Sequence, residues 1–254
     1  MTGYTIGVDV GTASARAGLF DLTGKRLAIA TEPIQIHRPL PEYAEQSSED
    51  IWRAVCTVVR AVVSEARVQP DTVLGIGYDA TCSLVALDAN DQPISVSPTG
   101  DPQWNIIMWM DHRAIAETEQ ANAGGYEALR YSGGALSPEM EPPKLAWLRR
   151  HMPDTFERAG KFLDLADFLV YRSTGNNLRS ECTMGCKWTY LPAEKRWDMR
   201  LLQDLGIESI LERGRAGEAI LPLGSSAGTL TPQAASELGL STRTQVAIGI
   251  VDAH

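Results

Sequence analysis

The sequence predicts a mixed α/β domain, and two observations carry that prediction. Short apolar runs rich in β-branched residues alternate with turn residues near the N-terminus, and a run with helical spacing follows them. The resulting order is β-β-β-α-β, for which periodicity alone indicates a mixed α/β fold. The chain has 254 residues, 44% of them hydrophobic, which is enough for one large domain or two small ones with a substantial core.

Three strands open the chain and are separated by polar turns. They are predicted at Tyr4–Asp9, Ala15–Asp21 and Arg26–Thr31, with Thr23-Gly24 in the second turn. A helix should follow, because Ser47-Ser48-Glu49-Asp50 resembles a capping box. Apolar residues then recur at helical spacing and stop before Pro70; they are Ile51, Val55, Val58, Val59, Val62 and Ala66.

Two further strands complete the regular opening part of the sequence. They are predicted at Val73–Ala80 and Leu84–Asp88, with a turn at Asn90-Asp91. The middle of the chain is less regular. Helices are predicted there at Asp111–Ala123 and Pro143–His151, the segment Lys161–Tyr171 fits helix or strand, and Arg179–Tyr190 is expected to form a strand pair.

The C-terminal part carries clear helix signals and a last strand. Thr231-Pro232 should open a helix over Gln233–Leu238, and Gly239 should end it. The segment Thr244–Val251 is predicted to be a strand that delivers Asp252 at its carboxyl end. In open α/β sheets that end of a strand faces the ligand crevice, so Asp252 is a candidate functional residue.

The composition argues against several classes of function. The net charge is −9, and such an acidic balance disfavours a nucleic-acid or anionic-membrane surface. A phosphate site remains compatible with it, because that needs only a local cluster of donors. No hydrophobic run reaches the roughly 18 residues of a membrane helix, and no signal peptide is evident.

The cysteine and histidine residues predict neither disulfides nor a metal site. Four cysteines are too sparse for a disulfide scaffold, and Cys182 and Cys186 lie four residues apart. That spacing fits neither a Cys-x-x-Cys redox pair nor a paired zinc knuckle, so we expect reduced structural thiols and a cytoplasmic protein. The histidines show no paired ligand spacing; they are His37, His112, His151 and His254.

The turn between the first two predicted strands is the most informative segment. Asp9-Val10-Gly11-Thr12-Ala13-Ser14-Ala15-Arg16 places a carboxylate, a glycine, two hydroxyls and a guanidinium close together. Glycine lets the backbone approach a ligand, N–H groups and hydroxyls donate to phosphate oxygens, and a carboxylate can hold hydrated Mg²⁺. An ordinary β-hairpin with a polar turn would carry the same residues.

Four other segments combine polar side chains with a strand end or an aromatic neighbour. Each has a plain structural alternative: a tight connection at Thr81, a helix N-cap at Asp111, a solvent-facing stem at Lys187 and a surface carboxylate at Asp252. Cys82 lacks a nearby activating base and is not expected to be a nucleophile. The segments are Asp79-Ala80-Thr81-Cys82-Ser83, Trp109-Met110-Asp111-His112-Arg113, Cys186-Lys187-Trp188 and Asp252-Ala253-His254.

Taken in order, these five segments resemble the motifs of the FGGY carbohydrate kinases of the sugar-kinase/Hsp70/actin superfamily, and within them the ribulokinase-like branch. The resemblance implies a ribonuclease-H-like domain with a central mixed sheet and inserted sugar-binding elements. It also implies that a nucleotide-binding domain follows Asp252-Ala253-His254. Residues 1–254 would then be the N-terminal, sugar-binding half, and this chain alone would be a poor kinase.

The resemblance further implies transfer of the γ-phosphoryl group of ATP, with Mg²⁺, to a primary hydroxyl of a pentulose. D-ribulose is the preferred sugar, while L-ribulose, xylulose and ribitol stay open. Asp252 would be the catalytic base and Asp9 would hold Mg²⁺ through water. The phosphate contacts implied are Gly11, Thr12, Ser14 and Arg16, and the sugar contacts are Ala80, Thr81, Cys82, Asp111, His112, Arg113, Lys187 and His254.

Two interpretations of other classes stay open at this point. One is a sugar-binding or regulatory protein that lacks the nucleotide-binding half. The other is a chaperone-like or actin-like ATPase, against which Cys186-Lys187-Trp188 and Asp252-Ala253-His254 count. The expected partner is a small-molecule sugar, with no nucleic acid and no membrane, and the sequence leaves open whether the chain forms a homodimer.

Overall fold

The computed structural model describes residues 3–254. Its strands form one large sheet, one smaller sheet and two short pairs. In chain order they are β1 (Tyr4–Val10), β2 (Ser14–Asp21), β3 (Arg26–Pro33), β4 (Glu45–Gln46), β5 (Val73–Ala80), β6 (Leu84–Asp88), β7 (Ile106–Ile107), β8 (Ala159–Asp164), β9 (Leu178–Ser180), β10 (Tyr190–Leu191), β11 (Arg196–Trp197), β12 (Ala219–Leu221), β13 (Ser226–Thr229), β14 (Gln245–Ala247) and β15 (Ile250–Val251).

The α-helices range from six to nineteen residues in length. They are α1 (Ser48–Ala66), α2 (Ile115–Ala123), α3 (Glu141–His151), α4 (Pro153–Arg158), α5 (Leu165–Thr174), α6 (Glu181–Lys187), α7 (Met199–Leu205) and α8 (Pro232–Leu238), with 3-10 helices at Pro70–Thr72, Glu127–Tyr131 and Glu208–Gly214. Over residues 3–254, none of the helices combines the length and apolar character needed to span a bilayer.

The large sheet is mixed and contains seven strands. Its order is β13-β14-β5-β1-β2-β3, and β15 also pairs with β5. Strands β1, β2 and β3 form an antiparallel meander, whereas β1, β14 and β15 run parallel to β5. The predicted opening order and the central mixed sheet are therefore confirmed. Because β1, β5 and β15 are parallel, their carboxyl ends lie at one edge of the sheet, where open α/β sheets bind ligands.

Helix α1 packs on this sheet, and it begins where the sequence predicts. Ser47 is its N-cap, since its hydroxyl accepts a hydrogen bond from the Asp50 backbone N–H at 3.2 Å. The Asp50 carboxylate does not complete a capping box. It accepts from the backbone N–H of Gln35 at 2.9 Å and so ties the helix to the segment after β3. The apolar face of α1 joins the sheet residues in one continuous core.

A second core lies on the other side of the smaller sheet, whose order is β4-β7-β6-β8. Successive residues of a strand point to opposite faces, and β6 uses both faces for burial. Val85 and Leu87 belong to the first core, whereas Leu84 and Ala86 belong to the second, together with residues of α3 and α7. The smaller sheet therefore joins the two cores into one packed unit.

Three predicted elements differ from the structure. The helix expected to begin at Asp111 begins at Ile115, because Asp111 is used in a buried network described below. The segment Lys161–Tyr171 is both strand and helix, with the change at Asp164, which caps α5. The last strand is split into β14 and β15, and both pieces pair with β5.

The predicted strand pair at Arg179–Tyr190 is wrong, because most of this segment is helix α6. Ser180 caps that helix by accepting from the Cys182 backbone N–H at 3.1 Å. Asp167 fixes the same turn, since its carboxylate accepts from the Ser180 N–H at 2.9 Å and from the Thr183 hydroxyl at 2.7 Å. These tertiary contacts stabilise a helix that is too short to show a clear periodicity in the sequence.

Candidate active site

Three carboxylates meet at the carboxyl edge of the large sheet. Asp9 on β1 is directly opposite Asp79 on β5 in the parallel register. Asp252 follows β15 on the other side of β5, and its backbone N–H donates to the Ala80 carbonyl at 3.0 Å. The topology thus brings residues that are far apart in the sequence to one edge.

Two of these carboxylates, Asp79 and Asp252, have raised pKa values. Burial raises the pKa of Asp79 to about 6, with the charges of Asp9 and Asp252 adding to the rise. Burial also raises the pKa of Asp252, and the charge of Asp9 is the next cause. A carboxyl whose pKa is raised in this way is a better proton acceptor when ionised, which is the property that a general base requires.

One cation faces this acidic edge from the β1–β2 turn. Arg16 lies opposite Asp9 in the antiparallel register, and its Nη2 is 2.5 Å from Asp9 Oδ2. The guanidinium is about half exposed, with 51% of the side chain accessible, so it can also reach a ligand. Within the turn, the Gly11 N–H donates to the Ser14 carbonyl at 3.0 Å and closes the loop tightly.

Gly11 leaves open space where a side chain would otherwise stand. A Cβ atom there would meet Arg16 Nη2 at 3.6 Å and Asp9 Oδ1 at 3.8 Å, which are ordinary contact distances. Its backbone is not in the left-handed region, so the fold itself does not require glycine here. The free space lies beside the two charged groups expected to contact phosphate or Mg²⁺.

A cavity of about 440 Å³ opens next to the carboxylates. A larger cavity of about 590 Å³ beside Asp50 and Arg53 is not lined by any of the predicted site residues. The smaller cavity collects residues from the β1–β2 turn, the loop after β5, α6 and the segment after β15. It is lined by Thr12, Thr81, Cys82, Trp109, Glu139, Lys187, Val251, Asp252 and Ala253.

Hydrogen bonds hold two walls of the cavity together. The Trp109 indole N–H donates to the Thr12 hydroxyl at 3.0 Å, and the Trp109 backbone N–H donates to the Ser83 hydroxyl at 3.1 Å. Thr81 is anchored to β1, because its N–H donates to the Val10 carbonyl at 3.0 Å. Ala80, Thr81 and Cys82 thus lie in a rigid, buried turn at the end of β5.

Lys187 lies at the C-terminal end of α6 and lines the cavity with its ammonium group half-buried. Burial lowers the pKa of Lys187, but the Cys82 thiol and the carboxylates of Glu141 and Glu139 outweigh that effect and leave it raised. Lys187 therefore stays charged at neutral pH. It is a donor placed inside a cavity next to a cysteine whose own pKa is raised to about 11, mainly by burial.

A buried pair of an acidic and a basic residue lies near Lys187. Glu141 and Lys144 are both fully buried on α3, and Lys144 Nζ is 3.4 Å from Glu141 Oε2. The ammonium also donates to the Glu139 carbonyl at 2.9 Å, which fixes the residue that lines the cavity. Burial raises the pKa of Glu141 to about 7, although the charge of Lys144 opposes the rise.

Asp111 and Arg113 do not line the cavity. Both side chains are fully buried, and Arg113 Nη2 is 2.7 Å from Asp111 Oδ2 and 2.8 Å from Glu45 Oε1. Arg113 Nη1 donates to the Val96 carbonyl at 2.7 Å, and its guanidinium lies 4.1 Å from the centre of the Tyr43 ring. The structure places these two residues in a network that supports the fold around the cavity.

His112 and His254 lie at the margins of the site. His112 is 41% exposed, and its Nε2 is 3.8 Å from Glu139 Oε1. His112 therefore contacts a residue that lines the cavity. His254 is exposed and packs against α6, where its Nδ1 is 3.1 Å from Cys182 Sγ. Neither histidine is among the residues that line the cavity.

The comparison with known families decides the classification. The family model described as the FGGY family of carbohydrate kinases, N-terminal domain, matches residues 4–254. The chain belongs to the FGGY family of carbohydrate kinases. The resemblance inferred from the five motif segments is confirmed by this match.

Curated relatives of the FGGY family match the chain along almost its entire length. It is 44% identical over 255 residues to an FGGY carbohydrate kinase domain-containing protein of Homo sapiens, covering 99% of this chain and 46% of that protein. It is 40% identical over 267 residues to a D-ribulokinase of Saccharomyces cerevisiae, covering 99% and 37%. A ribulokinase of Geobacillus thermodenitrificans is 32% identical over 271 residues, covering 99% and 48%. The chain spans about half the length of the curated relatives it matches, or less.

Solved structures of sugar kinases share the fold. A gluconate kinase from Lactobacillus acidophilus superposes with a TM-score of 0.84 at 21% identity, covering 99% of this chain and 48% of that one. A xylulose kinase from Rhodospirillum rubrum gives a TM-score of 0.84 at 22% identity, covering 98% and 49%. The mixed α/β architecture is thus that of the sugar-kinase fold.

The carboxyl edge of this FGGY domain fits a hydrated Mg²⁺ ion with a nucleotide phosphate. Mg²⁺ prefers carboxylate oxygen and keeps several water ligands, and Asp9, with Asp79 beside it, offers carboxylate oxygen at this edge. Burial raises the pKa of Asp79 most, and the charges of Asp9 and Asp252 raise it further; a divalent cation at this edge would offset those charges.

Asp79, Trp109 and Glu139 belong to the FGGY site but were not among the predicted contacts. Asp79 and Trp109 lay within the motif segments, but their roles depend on pairing across strands and on a contact between loops. Glu139 carried no signal of its own. Glu139 lies two residues before Glu141-Pro142-Pro143-Lys144, which begins a helix. The two prolines there restrict the backbone and were the local signal available.

Proposed function

We propose that this chain is the sugar-binding half of an ATP-dependent pentulose kinase and that D-ribulose is its preferred sugar. The observation that supports this most strongly is a single cavity of about 440 Å³ lined by both Asp252 and Lys187. A carboxylate with a raised pKa and a charged donor that line one small cavity suit a polyol with a reacting hydroxyl.

Asp252 is the residue that would accept the proton of the sugar's primary hydroxyl. Burial and the charge of Asp9 raise its pKa, and its backbone is fixed by the bond to the Ala80 carbonyl. Loss of that proton makes the hydroxyl oxygen the nucleophile, and a correctly placed base contributes about 10²–10⁴-fold to such a step. When bound, MgATP supplies the phosphoryl group that this oxygen accepts.

The remaining residues would bind and orient the reactants. Lys187 would donate to sugar oxygens, and Glu139 would accept from a sugar hydroxyl, since both line the cavity. Arg16, with the N–H groups and hydroxyls of the β1–β2 turn at Gly11, Thr12 and Ser14, would hold phosphate oxygens. Asp9 would hold Mg²⁺ through water. Positioning of this kind dominates catalysis of phosphoryl transfer.

The choice of a pentulose rests on the relatives. Proteins called D-ribulokinase and ribulokinase are 40% and 32% identical to the chain over nearly all of its length. Solved gluconate and xylulose kinases share the fold at 21% and 22% identity, and at that distance they do not specify a sugar. L-ribulose, xylulose and ribitol are therefore the competitors to include in any test.

The experiment has a binding arm and a turnover arm. Residues 1–254 are titrated by calorimetry with D-ribulose, L-ribulose, D-xylulose and ribitol, and we expect D-ribulose to bind best, in the millimolar range of about −4 kcal/mol. The protein encoded by the complete reading frame is assayed for ADP release with the same sugars. Preference for another sugar overturns the choice of D-ribulose, and ATP hydrolysis without any polyol binding overturns the kinase proposal.

A further inference from the structure

A cluster of two thiols and one imidazole lies beside the candidate active site and has no part in the proposed reaction. Cys182 and Cys186 are four residues apart on α6, so their side chains share one face of the helix. His254 follows β15, which packs against α6. The sequence separation of up to 72 residues explains why spacing rules did not indicate this cluster.

The distances within the cluster suit tetrahedral coordination of one ion. Zn–S bonds of about 2.3 Å and Zn–N bonds of about 2.0–2.1 Å place neighbouring sulfur and nitrogen ligands about 3.6 Å apart in a tetrahedron. His254 Nδ1 is 3.1 Å from Cys182 Sγ and 3.8 Å from Cys186 Sγ, which bracket that value. All three ligand atoms lie within 4.8 Å of one another.

The ligand types select the class of ion. Thiolate and imidazole are soft or borderline donors, which favour Zn²⁺ over Mg²⁺ or Ca²⁺. Access is available, because Cys186 and His254 are exposed, whereas Cys182 is only 9% exposed and is held in place by packing against Val251 and Cys82. Within residues 3–254, the histidine, cysteine and acidic side chains that lie close enough together to offer three ligands to one ion are those of this cluster.

We propose that Cys182, Cys186 and His254 form a binding site for a thiophilic divalent cation such as Zn²⁺, with the fourth coordination position open to solvent or a small ligand. The bound ion would link α6 to the segment after β15. Lys187 directly follows one ligand, and Asp252 lies two residues before another, so the link would fix two residues of the cavity relative to each other.

The test uses the reduced 254-residue chain and the metal alone. Zn²⁺ affinity is measured by competition with a chromophoric chelator, and Co²⁺ substitution reports thiolate ligands through charge-transfer absorption. We expect one equivalent of Zn²⁺ per chain and thiolate-to-cobalt absorption. Cys182→Ser, Cys186→Ser and His254→Ala should each weaken binding at least about 100-fold, since even partners of metal ligands account for 10–100-fold.

The matched control is Cys56→Ser, because Cys56 is a free cysteine on α1, outside the cluster. It should leave Zn²⁺ affinity and cobalt absorption unchanged, and thermal unfolding of each apo variant shows whether it is folded. His254 is exposed, so its replacement should disturb packing less than that of the buried Cys182, and it serves if a cysteine variant unfolds. The proposal is overturned if the chain takes up no Zn²⁺, if His254→Ala binds as tightly as the unaltered chain, or if Cys56→Ser loses the metal equally.

Discussion

Asp9 and Asp79 pair directly in the parallel register of β1 and β5, so two carboxylates share the carboxyl edge of the large sheet. Asp252 joins them from the end of β15, and its backbone bonds to the residue that follows Asp79. Such an arrangement disfavours the folded state when all three groups are ionised. The three carboxylates lie beside a cavity and Arg16. A cation bound there would reduce their repulsion, and Arg16 could bind a phosphate.

The first prediction concerns the pH dependence of stability. The pKa of Asp79 is about 6 in the folded protein, above its ordinary value of 3.8. The folded state therefore binds this proton more tightly, and the resulting stabilisation is complete below pH 3.8 and is lost as the pH rises through about 6. Asp79→Asn should raise the free energy of unfolding by about 1 kcal/mol at pH 8, after allowance for solvent screening, and change it little at pH 4.

Urea unfolding at the two pH values checks this prediction, with Glu65→Gln as the control. Glu65 is an exposed carboxylate on α1, remote in sequence from the edge of the sheet. Its replacement should have a similarly small effect at both pH values. An equal effect of Asp79→Asn at pH 4 and pH 8 would show that folding does not raise the pKa of Asp79.

The second prediction concerns the buried network around Arg113. Arg113→Met keeps most of the side-chain volume but leaves the buried Asp111 and Glu45 without their cation. We expect the free energy of unfolding to fall by about 3–5 kcal/mol, the usual loss when one partner of a buried ion pair is removed. Arg53→Met is the matched control, because Arg53 pairs with Asp50 while 73% exposed and should contribute only about 0–1 kcal/mol.

Chemical denaturation of both variants at neutral pH distinguishes a structural role of Arg113 in the buried network from a role as a sugar contact. If Arg113→Met weakens only sugar binding and its free energy of unfolding stays within about 0.5 kcal/mol of the unaltered chain, Arg113 is a sugar contact and the structural assignment is wrong.

The third prediction concerns sugar recognition by Lys187. Lys187→Ala removes a charged donor from the cavity and should weaken D-ribulose binding to residues 1–254 by about 1–3 kcal/mol, the cost of leaving a polar partner unpaired. Lys25→Ala, in the exposed turn after β2, removes the same charge far from the cavity and should leave binding unchanged. Ligand-observed NMR is suited to these weak affinities. Equal binding by the two variants would remove Lys187 from the sugar site.

Regular elements were predictable from the sequence because their signals are local. The first strands, α1 and α8 carry complete patterns of periodicity and capping, such as Ser47 before α1 and Thr231 with Gly239 around α8, and their bounds agree within about two residues. Helix α6 lacks such a pattern. Its first turn is stabilised by Asp167, which is on another helix, so a window of sequence could not reveal it.

The site residues show the same difference between local sequence signals and tertiary contacts. The sequence could place Asp9, Thr81 and Asp252 at the carboxyl ends of predicted strands, and the structure has each of them at or next to such an end in one sheet. Asp111 and Arg113 lie in a motif segment too, yet their side chains turn into a buried network whose partners come from Glu45 and Val96. The thiol–imidazole cluster and Glu139 depend wholly on tertiary packing.

The most direct test of the proposed function is the turnover of Asp252→Asn in the protein encoded by the complete reading frame. Asparagine keeps the shape of the side chain but cannot accept the hydroxyl proton. With D-ribulose and MgATP in a coupled ADP-release assay, kcat should fall about 10²–10⁴-fold with little change in KM for the sugar. A kcat close to that of the unaltered protein would contradict the assignment of Asp252 as the base and with it the proposed mechanism.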